Sequence, residues 1–342
     1  MFPIPRFTTR FRTRCQLVGA GAILVCAMAA SAAPARNAQF FRAPVYVTLQ
    51  GSGAVENMAT GTVWHGLPGA HYDALSPDGT RLLVSSATSH DAFLVDTRTG
   101  KVLDTFDIGP VLQGVAIGPD GKWGLVVGAG KGTLSIINLD TRRVVKTLSI
   151  GMGPHHAAVG SGPHNAIFTP DGQRAYVTLQ GGGGVAVIDM RTLTRVAEFP
   201  VPGLKLPHNL VLAPDGKTLW IRGFAGQVAA VDLPSRKVLA VIPVGASHAG
   251  IDISADGRYV FTGGIGGDTV DVINARTFKV VKRINVGSGP HGVRVSRNQR
   301  WVYAGVTGSN KVAVIDAHTF KLVAEVPAAG KVPFWIATPR RE

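Results

Sequence analysis

The chain has 342 residues, a formal net charge of +14 and two cysteines, Cys15 and Cys26. That length supports a sizeable core, and with both thiols in the first 26 residues the remainder offers no disulfide, zinc–thiolate site or cysteine nucleophile. The basic excess favours anionic partners such as nucleic acid or acidic lipid, yet no run of consecutive Lys/Arg and no aromatic–basic interleaving stands out.

Residues 1–32 read as a secretory signal peptide. Arg6, Arg10, Arg12 and Arg14 precede an apolar run from Leu17 to Ala30, and Ala30-Ser31-Ala32 fits a small-residue cleavage site. The run falls short of the roughly 18–20 residues a membrane span needs. The expected product is periplasmic or secreted, without a membrane span, and its formal charge falls from +14 to +10. Residues 33–43 are expected to form a disordered leader and residues 44–339 the folded domain.

From there the chain repeats itself. The unit from Gly287 to Gly330 holds four short β-type runs, HGVRVS, WVYAGV, KVAVID and KLVAEVP, each of strand length and each bounded by turn residues. One such meander leaves both faces unburied, whereas copies side by side cover them. A turn Asp after the first run recurs at Asp78, Asp120, Asp171, Asp215 and Asp256, with Asn298 in the last unit, at intervals of 42, 51, 44, 41 and 42 residues. A second marker closes the third run at Asp96, Asp140, Asp189, Asp232, Asn274 and Asp316. Asp and Asn suit such turns because their side chains accept backbone N–H bonds. A period of about 40–45 residues with four strands per unit means propeller blades.

The chain ends complete the count. Val45 to Asn57 matches Ala175 to Asp189, the second and third runs of a later blade, so the first blade lacks its own first run. Lys331 to Pro339 resembles Pro163 to Pro170 and supplies it. The expected fold is therefore all-β: a seven-bladed β-propeller closed by a C-terminal strand joining N-terminal strands in one shared blade. Trp123, Tyr176, Trp220, Tyr259 and Trp301 recur at the start of the second runs and are expected to pack between blades. GAGKGT at Gly128–Thr133 lacks a Ser/Thr directly after Lys131 and a helix to follow, so it is not read as a phosphate loop.

The P-D-G turns, the V-x-V-I-D third runs and YVTLQ at Tyr46–Gln50 and Tyr176–Gln180 together resemble the YVTN-repeat β-propeller family. That family is similar in fold to the haem-d-binding propellers of cytochrome-type nitrite reductases. The resemblance implies a propeller and leaves function open, because one scaffold hosts many sites.

One column departs from plain scaffold. His71, His164, His208 and His291 each stand seven residues before their turn Asp or Asn, and His248 stands eight before. Gln113 takes this place in one of the other blades, and the closing strand offers Pro333-Phe334. In a propeller the innermost strands line the channel, so a repeated position becomes a ring at one mouth. The 51-residue interval inserts about nine residues ahead of His164 and brings Met152, His155 and His156 toward that mouth, with His65 a further candidate. Two readings stand side by side. Each imidazole bonds a neighbouring backbone group and locks blade to blade, or His71, His155, His156, His164, His208, His248 and His291 hold a metal, copper or zinc, for which imidazole is a natural ligand. An organic or haem-like ligand is a third occupant. The function expected is a binding module with a His-rich channel mouth for a metal or small ligand. The alternatives are a copper-dependent oxidoreductase at that mouth, and polyanion or single-stranded nucleic-acid binding through the basic surface. No catalytic residue is assigned.

Overall fold

The computed structural model describes residues 38–151 and 162–339, all within the compact unit Ala33–Glu342. These residues form seven four-stranded antiparallel sheets, their strands numbered β1 to β28 in chain order. Six sheets are consecutive meanders. In the remaining one β28 (Pro333–Ala337) pairs with β1 (Tyr46–Leu49), followed by β2 (Ala54–Asn57) and β3 (Thr62–His65). Tyr46 faces Ala337 and Val47 faces Ile336 in that pair. The ring is thus closed by the shared blade, which removes the open sheet edges the chain ends would otherwise expose.

The innermost strands are β28, β4 (Ala70–Leu75), β8 (Leu112–Ile117), β12 (Pro163–Phe168), β16 (Pro207–Leu212), β20 (Ile251–Ile253) and β24 (Pro290–Val295). Each neighbours the next around a closed circle. Second and third strands such as Arg81–Ser86 and Asp91–Asp96 are buried on both faces and read as nearly continuous apolar runs. Outermost strands such as Lys237–Pro243 carry the exposed positions.

The core is divided accordingly. Seven apolar clusters form, one between each pair of adjacent blades. Tyr176, Trp220 and Trp301 are buried in three of them, and Trp123 and Tyr259 pack against two more, as their periodicity predicts.

The turn chemistry is as expected, with one shift. Oδ1 of Asp78, Asp120, Asp171, Asp215, Asp256 and Asn298 accepts the N–H two residues on. At the second marker, Asp96, Asp189, Asn274 and Asp316 accept the N–H groups two and three residues on. In the third blade that role belongs to Asn138, not Asp140. With Asn138 in place the two markers share the same 51-residue step to the fourth blade.

The leader expected to be disordered over residues 33–43 is held at its end. Phe40 and Phe41 are buried, Phe40 edge-on to Trp301 and Phe41 stacked on Tyr303, and the Tyr303 hydroxyl donates to the Phe40 carbonyl (2.6 Å). Residues 1–32 and the segment carrying Met152, His155 and His156 lie outside the described residues. Among the described residues no helix is long and apolar enough to cross a membrane.

Candidate functional site

All innermost strands run the same way along the channel, so their leading residues meet at one end. His71, His164, His208 and His291 occupy those positions and are buried, with His248 half-buried beside them. The side-chain rings touch in a closed circuit. His71 meets Phe334 (4.3 Å between centroids), Phe334 stacks on His291 (3.8 Å), and His291 meets His248 (5.2 Å). His248 then meets His208 (4.5 Å), His208 meets His164 (3.3 Å), and Tyr72 spans from His164 (5.8 Å) back to His71 (4.8 Å). His248 joins despite its one-residue offset, and Phe224 stacks on it (4.5 Å). Gln113 is half-buried at the same level, whereas His65 ends the outermost strand β3 and is exposed.

Both a leading residue and its successor face the channel because the inner strands bulge there. Register slips between Ala70 and Asp73, Pro163 and Ala166, Pro207 and Asn209, and Pro290 and Val293. A bulge leaves one residue unpaired and re-aims its side chain. It also frees an N–H, and a hydroxyl on the second strand takes it. Tyr72 N–H donates to Ser85 Oγ (3.2 Å), which donates to the Gln113 carbonyl of the next blade (2.8 Å). Asn165 N–H, Thr178 Oγ1 and the His208 carbonyl repeat the relay (3.0 and 2.6 Å), as do Trp335 N–H, Thr48 Oγ1 and the His71 carbonyl (2.9 and 2.7 Å).

These relays carry the blade-to-blade locking that the imidazoles were one candidate to provide. Several ring nitrogens are left out of it. Nδ1 of His71, His164 and His208 has no hydrogen-bond partner although buried, and neither has Nε2 of His291. His291 shows the expected lock, its Nδ1 lying 3.1 Å from the Phe334 carbonyl, and the His164 ring also feels the His208 backbone across the blade boundary.

Burial keeps the ring neutral. It pushes His71 down to about 3 and His248 to about 4, and holds His164, His208 and His291 well below the usual imidazole range. Repulsion from neighbouring imidazoles acts in the same direction for His71, His164, His208 and His291. A fixed positive charge sits close by. Arg222 is fully buried, its Nη2 donating to the carbonyls of Gly245 (2.6 Å) and Ser247 (2.8 Å), while Nε and Nη1 have no hydrogen-bond partner and the buried Asp271 carboxylate acts as a counter-charge. Its guanidinium helps to depress His208 and His248.

The single-residue reading of the sequence passed over Arg222 and Phe224. Arg222 stands next to Gly223, the partner of Pro207, as Thr178 stands next to Leu179, the partner of Pro163. An arginine in a column that elsewhere holds Thr48, Ser85 and Thr178 was the available signal.

Neutral imidazoles are competent metal ligands, but their contacts run from neighbour to neighbour around the circle. Among the described residues no group of three or more His, Cys, Asp or Glu is placed to hold a metal ion. A centre using His155 and His156 falls outside the described residues.

The family description "Cytochrome D1 heme domain" matches residues 170–286 and 225–333. The seven-bladed beta-propeller protein Rv1057 of Mycobacterium tuberculosis is 30% identical over 139 residues, 40% of this chain and 33% of that protein, so the match spans about a third of the curated relative. Hydrazine synthase of Kuenenia stuttgartiensis superposes with a TM-score of 0.70 at 23% identity, covering 81% of this chain and 91% of the other. A functionally unknown protein of Desulfotomaculum acetoxidans superposes with a TM-score of 0.73 at 16% identity, covering 88% and 100%. At such identities the superpositions speak for the fold alone. The chain is a seven-bladed β-propeller with fold similarity to the cytochrome d1 haem domain.

Proposed function

We propose that the protein is an exported binding module that holds a small, flat ligand bearing an anionic group at the histidine-ringed end of its channel. One observation carries the reading: the hydroxyl relays lock the blades, and the gathered imidazoles keep unpartnered ring nitrogens. Buried polar atoms without partners are few in native proteins and ask for an occupant or a role. The rings of His248, Phe224 and Phe334 offer flat faces, and Arg222 supplies the positive charge and two unused donors. The match to a haem-binding domain makes a conjugated macrocycle the first class to test. Copper or zinc is a second reading. Available neutral imidazoles favour it, and its remaining ligands would be His155 and His156.

Hemin, copper(II) and zinc(II), each titrated alone into the purified protein, test this. Hemin is expected to bind at one equivalent, and His248→Ala, which lies at the half-buried rim, to weaken it at least tenfold with little change in melting temperature. Stoichiometric copper or zinc with no hemin uptake would transfer the site to the second reading. Failure of all three to bind would overturn the proposal.

A further inference from the structure

The opposite end of the channel opens into a separate cavity of about 430 Å³, lined by the middle and trailing parts of the inner strands. Its walls are mostly apolar, with Leu75, Ile117, Ile167 and Leu212 among them. Four other residues stand out in the lining: Asp73, Asp252, Arg294 and Trp335. Neither the histidine ring nor Arg222 takes part.

Asp73 is the anomaly. It is 3% exposed, and neither carboxylate oxygen has a hydrogen-bond partner from another residue. Two residues past the leading position the other blades carry Val115, Ala166, Leu210, Ile251, Val293 and Ile336. The repeat therefore asks for an apolar side chain here, and an unpartnered carboxyl is costly in its place. Its charged neighbours are already engaged. Asp252 accepts N–H groups from Ile253 (2.9 Å) and Val295 (2.8 Å). Arg294 donates to the Ile251 (3.3 Å) and Val293 (2.9 Å) carbonyls and lies over the Trp335 ring at 4.6 Å. With Asp73 ionised, two carboxylates face one guanidinium, which leaves one negative charge over in an apolar-walled cavity.

We infer that this cavity is a second binding site, for an organic monocation whose ammonium N–H groups pair with Asp73 and whose apolar body lies along the channel wall. Burial holds the Asp73 carboxyl well above its usual range, with the Arg294 guanidinium acting in the other direction. Tyr72, Arg294 and Asp252 are the ionisable groups nearby. The charge balance of binding is then explicit. The ligand arrives as the ammonium, Asp73 gives up its proton to solvent, and the ion pair forms with one proton released.

Calorimetric titration with n-butyl-, n-hexyl- and n-octylammonium chloride tests this, repeated in two buffers of different ionisation enthalpy. Binding at one equivalent is expected, tightening with chain length and with net proton release over the pH range in which the unliganded Asp73 carboxyl holds its proton. Asp73→Asn should weaken it at least tenfold. Asp73→Leu, which restores the apolar column, should abolish it and fold at least as stably, so loss of binding is not confused with loss of fold. His248→Ala should leave it unchanged, which separates this site from the histidine mouth. No binding across the series, or equal binding by the Asp73 variants, would overturn the inference.

Discussion

Asp73 and Arg222 each break a repeated column, and each does so at the channel. Gly114, also at the channel, follows Gln113 in a column that holds glycine again at Gly250 and Gly292 and larger side chains at Tyr72, Asn165 and Asn209. A Cβ there would lie 2.1 Å from Asn165 Oδ1 and 2.8 Å from its Cα. That approach matters because Asn165 Nδ2 donates to Asn209 Oδ1 (2.6 Å), whose own Nδ2 donates to the Ala249 carbonyl (2.7 Å). The three blades are tied by this chain across the channel middle. Gly114→Ala is therefore expected to cost about 1–3 kcal/mol through overpacking and a broken buried bond, measured by urea unfolding. Residues that break a column are invisible to a search for motifs and visible to a comparison of blades position by position. Asp73 and Arg222 were legible in that way, whereas Gly114, in a column with two other glycines, was not. The hydroxyl relays were not, because nothing in a Thr or Ser on a strand announces that a bulge has freed an N–H opposite it.

At the scale of the strand, period and turn residues gave the fold away. Asp-Gly turns and apolar third runs placed six blades, and the likeness of Lys331–Pro339 to Pro163–Pro170 placed the seventh. What they did not give is the bulge in six of the seven inner strands, since alternation along Ala70–Leu75 reads as an ordinary strand until register is known. The bulge decides which side chains reach the channel. The other strand-level element is β28. Its Trp335 N–H enters the Thr48 relay, and its Phe334 ring completes the circuit between His71 and His291. Ending the chain after Gly330 should expose the edge of β1 and break both connections. That variant is expected to aggregate or unfold, by light scattering and circular dichroism, while removal of residues 340–342 should leave the melting temperature within about 2 °C of the full chain.

At the largest scale, the described residues form a closed ring of blades around a channel whose two ends differ in chemistry. One end gathers neutral imidazoles beside a buried guanidinium, and the other holds a carboxyl in an apolar funnel. The imbalance makes the fold sensitive to acid. Each channel histidine binds its proton less readily folded than unfolded, so the unfolded state takes up more protons as pH falls below about 6.5. Stability is full above that value and is lost progressively toward the folded values, about 4 for His248 and about 3 for His71, at up to ~1.4 kcal/mol per pH step for each ring. Asp73 and Glu56 act in the opposite sense, since their raised values stabilise the folded state at low pH. Five histidines against two carboxyls leave a net loss on acidification. The most direct measurement is urea unfolding of the wild type, His208→Leu and Thr178→Val at pH 7.5 and pH 5.0. If hydroxyls lock the blades and the imidazoles are free, Thr178→Val loses about 1–3 kcal/mol at both values. His208→Leu should stay within about 1 kcal/mol of wild type at pH 7.5 and become the more stable protein at pH 5.0. A neutral Thr178→Val together with a large loss in His208→Leu would put the locking back on the imidazoles and contradict the account.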